Sequence, residues 1–148
     1  GVMGISMGGV AFLLQKEPEK VDALILEMVY PTIQKAIENR LNLWLFSGAD
    51  NLSFLLTQQF PLRLGVSVDE LRPLDKIKSV NCPTFFIVGE NDQHTTLAES
   101  RQLFESANQP KDLWIVPQAE HGDLQKNAPK EYETKVLQFF EKTLRGKK

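Results

Sequence analysis

The sequence predicts an α/β fold in which a mostly parallel sheet is flanked by helices. Two apolar runs, 21–29 and 83–88, have the near-continuous hydrophobicity of parallel strands that are covered on both faces. A shorter run at 113–116 and the apolar residues that open the chain predict two further strands. Four segments of helical periodicity alternate with the strands, at 7–15, 31–46, 97–108 and 129–144. Such alternation is typical of βαβ units with right-handed crossovers, which build a parallel sheet.

The segment 30–68 interrupts this alternation. It is rich in Leu, Phe and Trp, and it carries helical patterns at 31–46 and 52–60. The first pattern begins at Pro31, and proline is favourable at the start of a helix. Because the segment lies between two predicted strands, we expect a helical lid inserted within a single domain that occupies residues 1–148.

Composition limits the classes of function. The chain has 148 residues, of which 42% are hydrophobic and 24% charged, as in one soluble globular domain. A net charge of −2 leaves no basic surplus to neutralise a phosphate backbone, so we expect no nucleic-acid partner. No apolar stretch reaches the roughly 18 residues of a membrane span. The single cysteine, Cys82, is expected to be a buried structural thiol in a reducing, cytoplasmic compartment.

A pentapeptide near the start of the chain carries the first chemical signal. Residues 4–8 read Gly-Ile-Ser-Met-Gly and match Gly-x-Ser-x-Gly between a strand end and an apolar helix. In that context the serine lies on a tight turn, the flanking glycines relieve crowding, and the hydroxyl of Ser6 is exposed as a nucleophile. The helix N-terminus stabilises an oxyanion, and the backbone N–H of Met7 is the expected donor.

The acid and the base are predicted from the ends of later strands. Asp92 follows the strand 83–88, where open α/β sheets keep their sites, and His121 follows the strand 113–116. Glu27, which ends the run of apolar strand residues 23–26, is the alternative acid; otherwise it would line the pocket or contact the lid. His94, in the loop of Asp92, is expected to be a surface or helix-entry residue. Two histidines and one cysteine show no ligand spacing, so no metal or cofactor is expected.

The order serine, acid, histidine is that of the α/β-hydrolases. Three segments of the sequence, at 4–9, 82–92 and 119–124, resemble the catalytic segments of that superfamily, and especially its esterase and prolyl-oligopeptidase-like branch. The resemblance implies an esterase-like serine hydrolase in which Ser6 attacks an acyl carbon, His121 transfers the proton and Asp92 holds the His121 tautomer. A thioester or peptide substrate is an alternative. A non-catalytic interaction scaffold, or an inactive fragment, is the competing hypothesis.

The same resemblance concerns the extent of the chain. It maps onto the second half of a family member, so the sequence is expected to lack an N-terminal half that supplies further strands and a second oxyanion N–H. The first strand would then expose an unpaired edge, through which we expect a homo-oligomer to form.

The predicted lid is rich in apolar residues. Its apolar residues outnumber those that one helix face needs: Leu41, Leu43, Trp44, Leu45, Phe46, Phe54, Leu55, Leu56 and Phe60. Stripes of this kind usually pack in a core, so burial against the sheet is the main expectation and an acyl-binding pocket is the alternative. No acidic cluster or Arg clamp indicates a charged ligand, so the expected partner is a small, uncharged acyl substrate.

Overall fold

The computed structural model describes residues 1–16, 19–45, 49–122 and 124–145. Its sheet has four parallel strands in the order β1-β2-β3-β4: β1 (Val2–Ile5), β2 (Leu24–Glu27), β3 (Thr84–Gly89) and β4 (Lys111–Val116). Every residue of β2 and β3 is buried, as their near-continuous apolar sequence predicts. The predicted α/β fold with a parallel sheet is therefore confirmed.

Eight α-helices lie within the described ranges: α1 (Met7–Leu13), α2 (Ile33–Asn42), α3 (Ala49–Thr57), α4 (Phe60–Leu64), α5 (Pro73–Lys76), α6 (Leu97–Ser106), α7 (Leu124–Asn127) and α8 (Pro129–Leu144). Two 3-10 turns span Val68–Glu70 and Ile77–Ser79. The sequence predicts α1, α2, α3, α6 and α8, with α8 at its observed bounds. It misses α4, α5 and α7, because four or five residues are too few to show a helical period.

The sheet separates two hydrophobic clusters, because alternate residues of a strand point to opposite faces. Leu24, Leu26 and Phe86 pack on one face against residues of α1, α2 and α6. Ile25, Phe85 and other residues pack on the other face against α7 and α8. Cys82 is half-buried rather than fully buried and packs at the margin of the first cluster.

The helical segment between β2 and β3 departs from expectation. Helix α3 contacts α2 and buries Ser53 and Thr57, which lie four residues apart on one helix face. The apolar side chains on its other faces therefore meet solvent, and Phe54 is 55% exposed. Trp44, after α2, is 84% exposed. The expected burial of this segment against the sheet is wrong for Leu43, Trp44, Leu45, Phe54, Leu55 and Leu56; Leu41 and Phe60 are half-buried, and Phe46 lies outside the described residues.

Strand β1 lies at one edge of the sheet. Within the part of the chain that the structure describes, β1 pairs only with β2, and β4 forms the opposite edge. Among these same residues, no helix is both long and apolar enough to cross a membrane.

Candidate active site

Ser6 lies on the turn that joins β1 to α1. Its backbone has a φ of 46°, which non-glycine residues rarely adopt and which costs free energy that the surrounding structure must offset. The N–H of Ser6 donates to the carbonyl of Glu27 on the neighbouring strand at 2.7 Å. This bond continues the β1–β2 ladder past Ile5, so the strained residue is held to the sheet.

Two glycines allow α1 to pack closely beneath this turn. A Cβ atom on Gly4 would lie 2.5 Å from the Cα atom of Gly9, and a Cβ atom on Gly9 would lie 2.4 Å from a methyl carbon of Val29. A Cβ atom on Gly8 would meet nothing within 4 Å. The expectation that both glycines flanking the serine relieve crowding therefore holds for Gly4 and is wrong for Gly8, because Gly9 makes the close approach.

Asp92 and His121 lie beside Ser6 at the carboxyl ends of the strands. The Oγ atom of Ser6 is 3.1 Å from Nε2 of His121, and Nδ1 of His121 is 2.8 Å from Oδ2 of Asp92. The Asp92 side chain is only 1% exposed. Its Oδ1 atom accepts the backbone N–H groups of His94 and Thr95 at 2.8 and 2.9 Å. Both carboxyl oxygens therefore have hydrogen-bond donors, and one of them faces the imidazole.

His94 lies closer to this cluster than its sequence position predicts. It is half-buried, and its ring centroid is 5.0 Å from that of His121. Burial, and then the nearby charges of His121 and Arg40, lower the pKa of His94, so its neutral form is favoured. Of the two expected positions, an exposed surface site is wrong, because the loop after β3 folds back onto Asp92 and carries His94 with it. The helix-entry position is confirmed, since His94 lies just before α6.

Glu27 bonds to a residue of α8. Its side chain is buried at the end of β2, where it accepts a short hydrogen bond from the phenol of Tyr132 on α8. Burial raises the pKa of Glu27, while the Tyr132 hydrogen bond and nearby His121 lower it by less. Burial likewise raises the pKa of Tyr132. The sequence gives no signal for this pair, because its members lie far apart along the chain.

Met7, the residue after Ser6, is exposed to solvent. Met7 is the first residue of α1, so its backbone N–H belongs to the first helical turn, whose N–H groups have no partner within the helix. Its side chain is 69% exposed. A cavity of about 630 Å³ lies at the opposite end of the sheet, lined by residues such as Phe12, Val21 and Cys82.

Within 1–16, 19–45, 49–122 and 124–145, no three His, Cys, Asp or Glu side chains are grouped so that they could hold a metal ion.

The sequence profile of the prolyl oligopeptidase family matches residues 60–147, which is more than half of the chain and includes Asp92 and His121. The chain belongs to the prolyl oligopeptidase family. Among curated proteins, no sequence matches the chain.

Solved structures show the same fold. An esterase of Pyrococcus furiosus superposes with a TM-score of 0.70 at 19% identity, covering 97% of this chain and 53% of the esterase. An α/β hydrolase from a lagoon-sediment metagenome gives 0.62 at 19% identity, covering 95% and 60%. The acylaminoacyl peptidase of Pyrococcus horikoshii gives 0.64 at 21% identity, covering 100% and 24%. This member of the prolyl oligopeptidase family thus has an α/β-hydrolase fold and spans about half the length of the P. furiosus esterase.

Proposed function

We propose that this chain carries the catalytic centre of a serine hydrolase that cleaves an uncharged carboxylic ester or a related acyl bond. Ser6 is the nucleophile, His121 the general base and Asp92 the residue that orients His121. The observation that carries the proposal is one continuous hydrogen-bonded chain, from Oγ of Ser6 through both ring nitrogens of His121 to Oδ2 of Asp92. Membership of the prolyl oligopeptidase family supports a hydrolytic reaction.

The geometry suits acyl transfer. Oγ of Ser6 attacks the acyl carbon while its proton passes to Nε2 of His121, and the imidazolium is stabilised by the Asp92 carboxylate. The N–H of Met7 donates to the oxyanion of the tetrahedral intermediate. His121 then returns the proton to the leaving oxygen or nitrogen, which departs and leaves an acyl-serine. Water attacks that ester with His121 as base, which releases the acid and restores Ser6.

An ester is the first candidate substrate and a peptide bond the second. The esterase among the structural neighbours supports the former. The family and the acylaminoacyl peptidase support the latter, since both are peptidases by name. The apolar side chains exposed around α3, such as Phe54 and Leu55, would favour an apolar acyl group if α2 to α4 act as a lid over Ser6.

Hydrolysis of matched substrates tests the proposal. The complete natural protein is assayed on an uncharged nitrophenyl ester and on an N-acyl amino-acid nitroanilide. Asp92→Asn is expected to lower kcat by a factor of about 10⁴, because the imidazole loses its correct tautomer. Ser6→Ala is expected to lower kcat by a factor of about 10⁶, because the nucleophile is lost. Ser79→Ala, which alters an exposed serine hydroxyl elsewhere, is the matched control. Undiminished turnover by Ser6→Ala would contradict the proposal.

A further inference from the structure

Met28 has an unusual backbone and a central position. It directly follows Glu27 at the end of β2, it is 1% exposed, and its φ is 51°. Non-glycine residues seldom occupy this left-handed region. The N–H of Met28 donates to the carbonyl of Ile87 on β3 at 3.0 Å, so the residue is tied to the centre of the sheet.

From this position Met28 contacts both loops that carry the proposed triad. Its thioether Sδ accepts the backbone N–H of Gly122, the residue after His121, at 3.0 Å. Its carbonyl accepts the hydroxyl of Thr95 at 3.4 Å, and the N–H of Thr95 in turn donates to Asp92. Met28 therefore bonds to the residue that follows His121, and also to Thr95, which itself bonds to Asp92.

We infer that Met28 is a positioning residue that holds the His121 loop and the Asp92 loop in register with Ser6. The inference rests on the proposed function and deepens it. A purely apolar residue could fill the same volume in the core. The thioether is also a weak acceptor, and it gives the Gly122 N–H a partner that leucine cannot supply. The left-handed backbone directs the carbonyl toward one loop while the side chain reaches the other.

The test removes the acceptor and keeps the volume. Met28→Leu is compared with Met3→Leu, because Met3 on β1 packs against the same hydrophobic cluster. The rate of Ser6 labelling by a fluorophosphonate is measured in the complete natural protein, together with the NMR resonance of the His121 Nδ1 proton. Met28→Leu is expected to slow labelling about tenfold, since small displacements of catalytic groups reduce rates steeply. It should also shift the imidazole resonance, whereas Met3→Leu should change neither.

Each result has a distinct meaning. Wild-type labelling and an unshifted imidazole proton in Met28→Leu would overturn the inference, and so would an equal loss in Met3→Leu. If Met28→Leu fails to fold, Thr95→Val tests the inference instead. This variant removes the hydroxyl bonded to Met28 and keeps the N–H that Asp92 accepts. An unchanged labelling rate in that variant would overturn the inference. If the wild type is not labelled, the proposed function fails, while the imidazole resonance still decides the role of Met28.

Discussion

Two adjacent glycines are expected to respond in opposite ways to the same substitution. Gly8 and Gly9 are consecutive residues in the first turn of α1. Replacement of either by alanine reduces the freedom of the unfolded chain and improves helix propensity, a gain of up to about 1 kcal/mol. The two positions differ only in what the new methyl group meets.

The structure sets the size of that difference. At Gly8 the methyl group meets nothing within 4 Å, so Gly8→Ala should keep the gain. At Gly9 it would lie 2.4 Å from Cγ2 of Val29 and 3.0 Å from the carbonyl oxygen of Gly4. Carbon atoms prefer about 3.5 to 4.0 Å, so the first contact overlaps by more than 1 Å. Val29 is buried and the Gly4 atom is backbone, so neither can move freely.

We therefore expect Gly9→Ala to be destabilised. Overpacking of this kind costs roughly 1 to 3 kcal/mol, which should outweigh the propensity gain. Because that gain is common to both variants, the overpacking cost alone should leave them about 1 to 3 kcal/mol apart. Urea unfolding of both variants and the wild type, with the slopes compared, measures the difference. Gly9→Ala should also label more slowly with a fluorophosphonate, because α1 and Ser6 would be displaced together. Equal stability of the two variants would refute the close packing of α1 on β1.

Three further predictions concern other parts of the fold. Burial raises the folded-state pKa of Glu27 above its ordinary 4.5, so the wild type should lose stability relative to Glu27→Gln as the pH rises above about 4.5. The same difference in free energy of unfolding between the two proteins at about pH 4 and at about pH 8 would contradict this. Iodide should quench the fluorescence of Trp44, which is 84% exposed, more strongly than that of Trp114, which is 9% exposed; Trp44→Phe isolates the second signal, and equal quenching would refute the exposed position. The 148-residue chain should self-associate through the open edge of β1 as concentration rises, and sedimentation as a monomer throughout would count against that contact.

Much of the fold could be predicted because its signals are local. Strands β2 and β3 are buried at every position and are mostly apolar, with Glu27 and Thr84 as polar exceptions. Helix α8 begins at Pro129, which fits the first turn of a helix. The same applies to the clustering of Ser6, Asp92 and His121. Each of these residues follows a strand, and parallel strands bring their carboxyl ends to one edge of the sheet.

The remaining features depend on tertiary contacts. The burial of Ser53 and Thr57, which leaves Phe54 facing solvent, is a choice of helix face that composition does not determine. Gly9, rather than Gly8, meets Val29 because of how closely α1 approaches the sheet. The Glu27–Tyr132 pair joins residues that are distant along the chain, and sequence periodicity carries no information about such a pair.

The site that these contacts build is arranged around the end of β2. The carbonyl of Glu27 fixes Ser6, while Met28 contacts the loops of His121 and Asp92. Glu27, the last residue of β2, and Met28, which follows it, therefore connect all three members of the proposed triad.

The most direct measurement of the central claim is the site of covalent modification by a fluorophosphonate, mapped by mass spectrometry of peptides from the complete natural protein. The hydrogen-bonded chain of Ser6, His121 and Asp92 predicts one adduct, on Ser6, that is absent from Ser6→Ala and much slower to form in Asp92→Asn. A folded protein that stays unmodified, or an adduct on another serine, would contradict the assignment of Ser6 as an activated nucleophile.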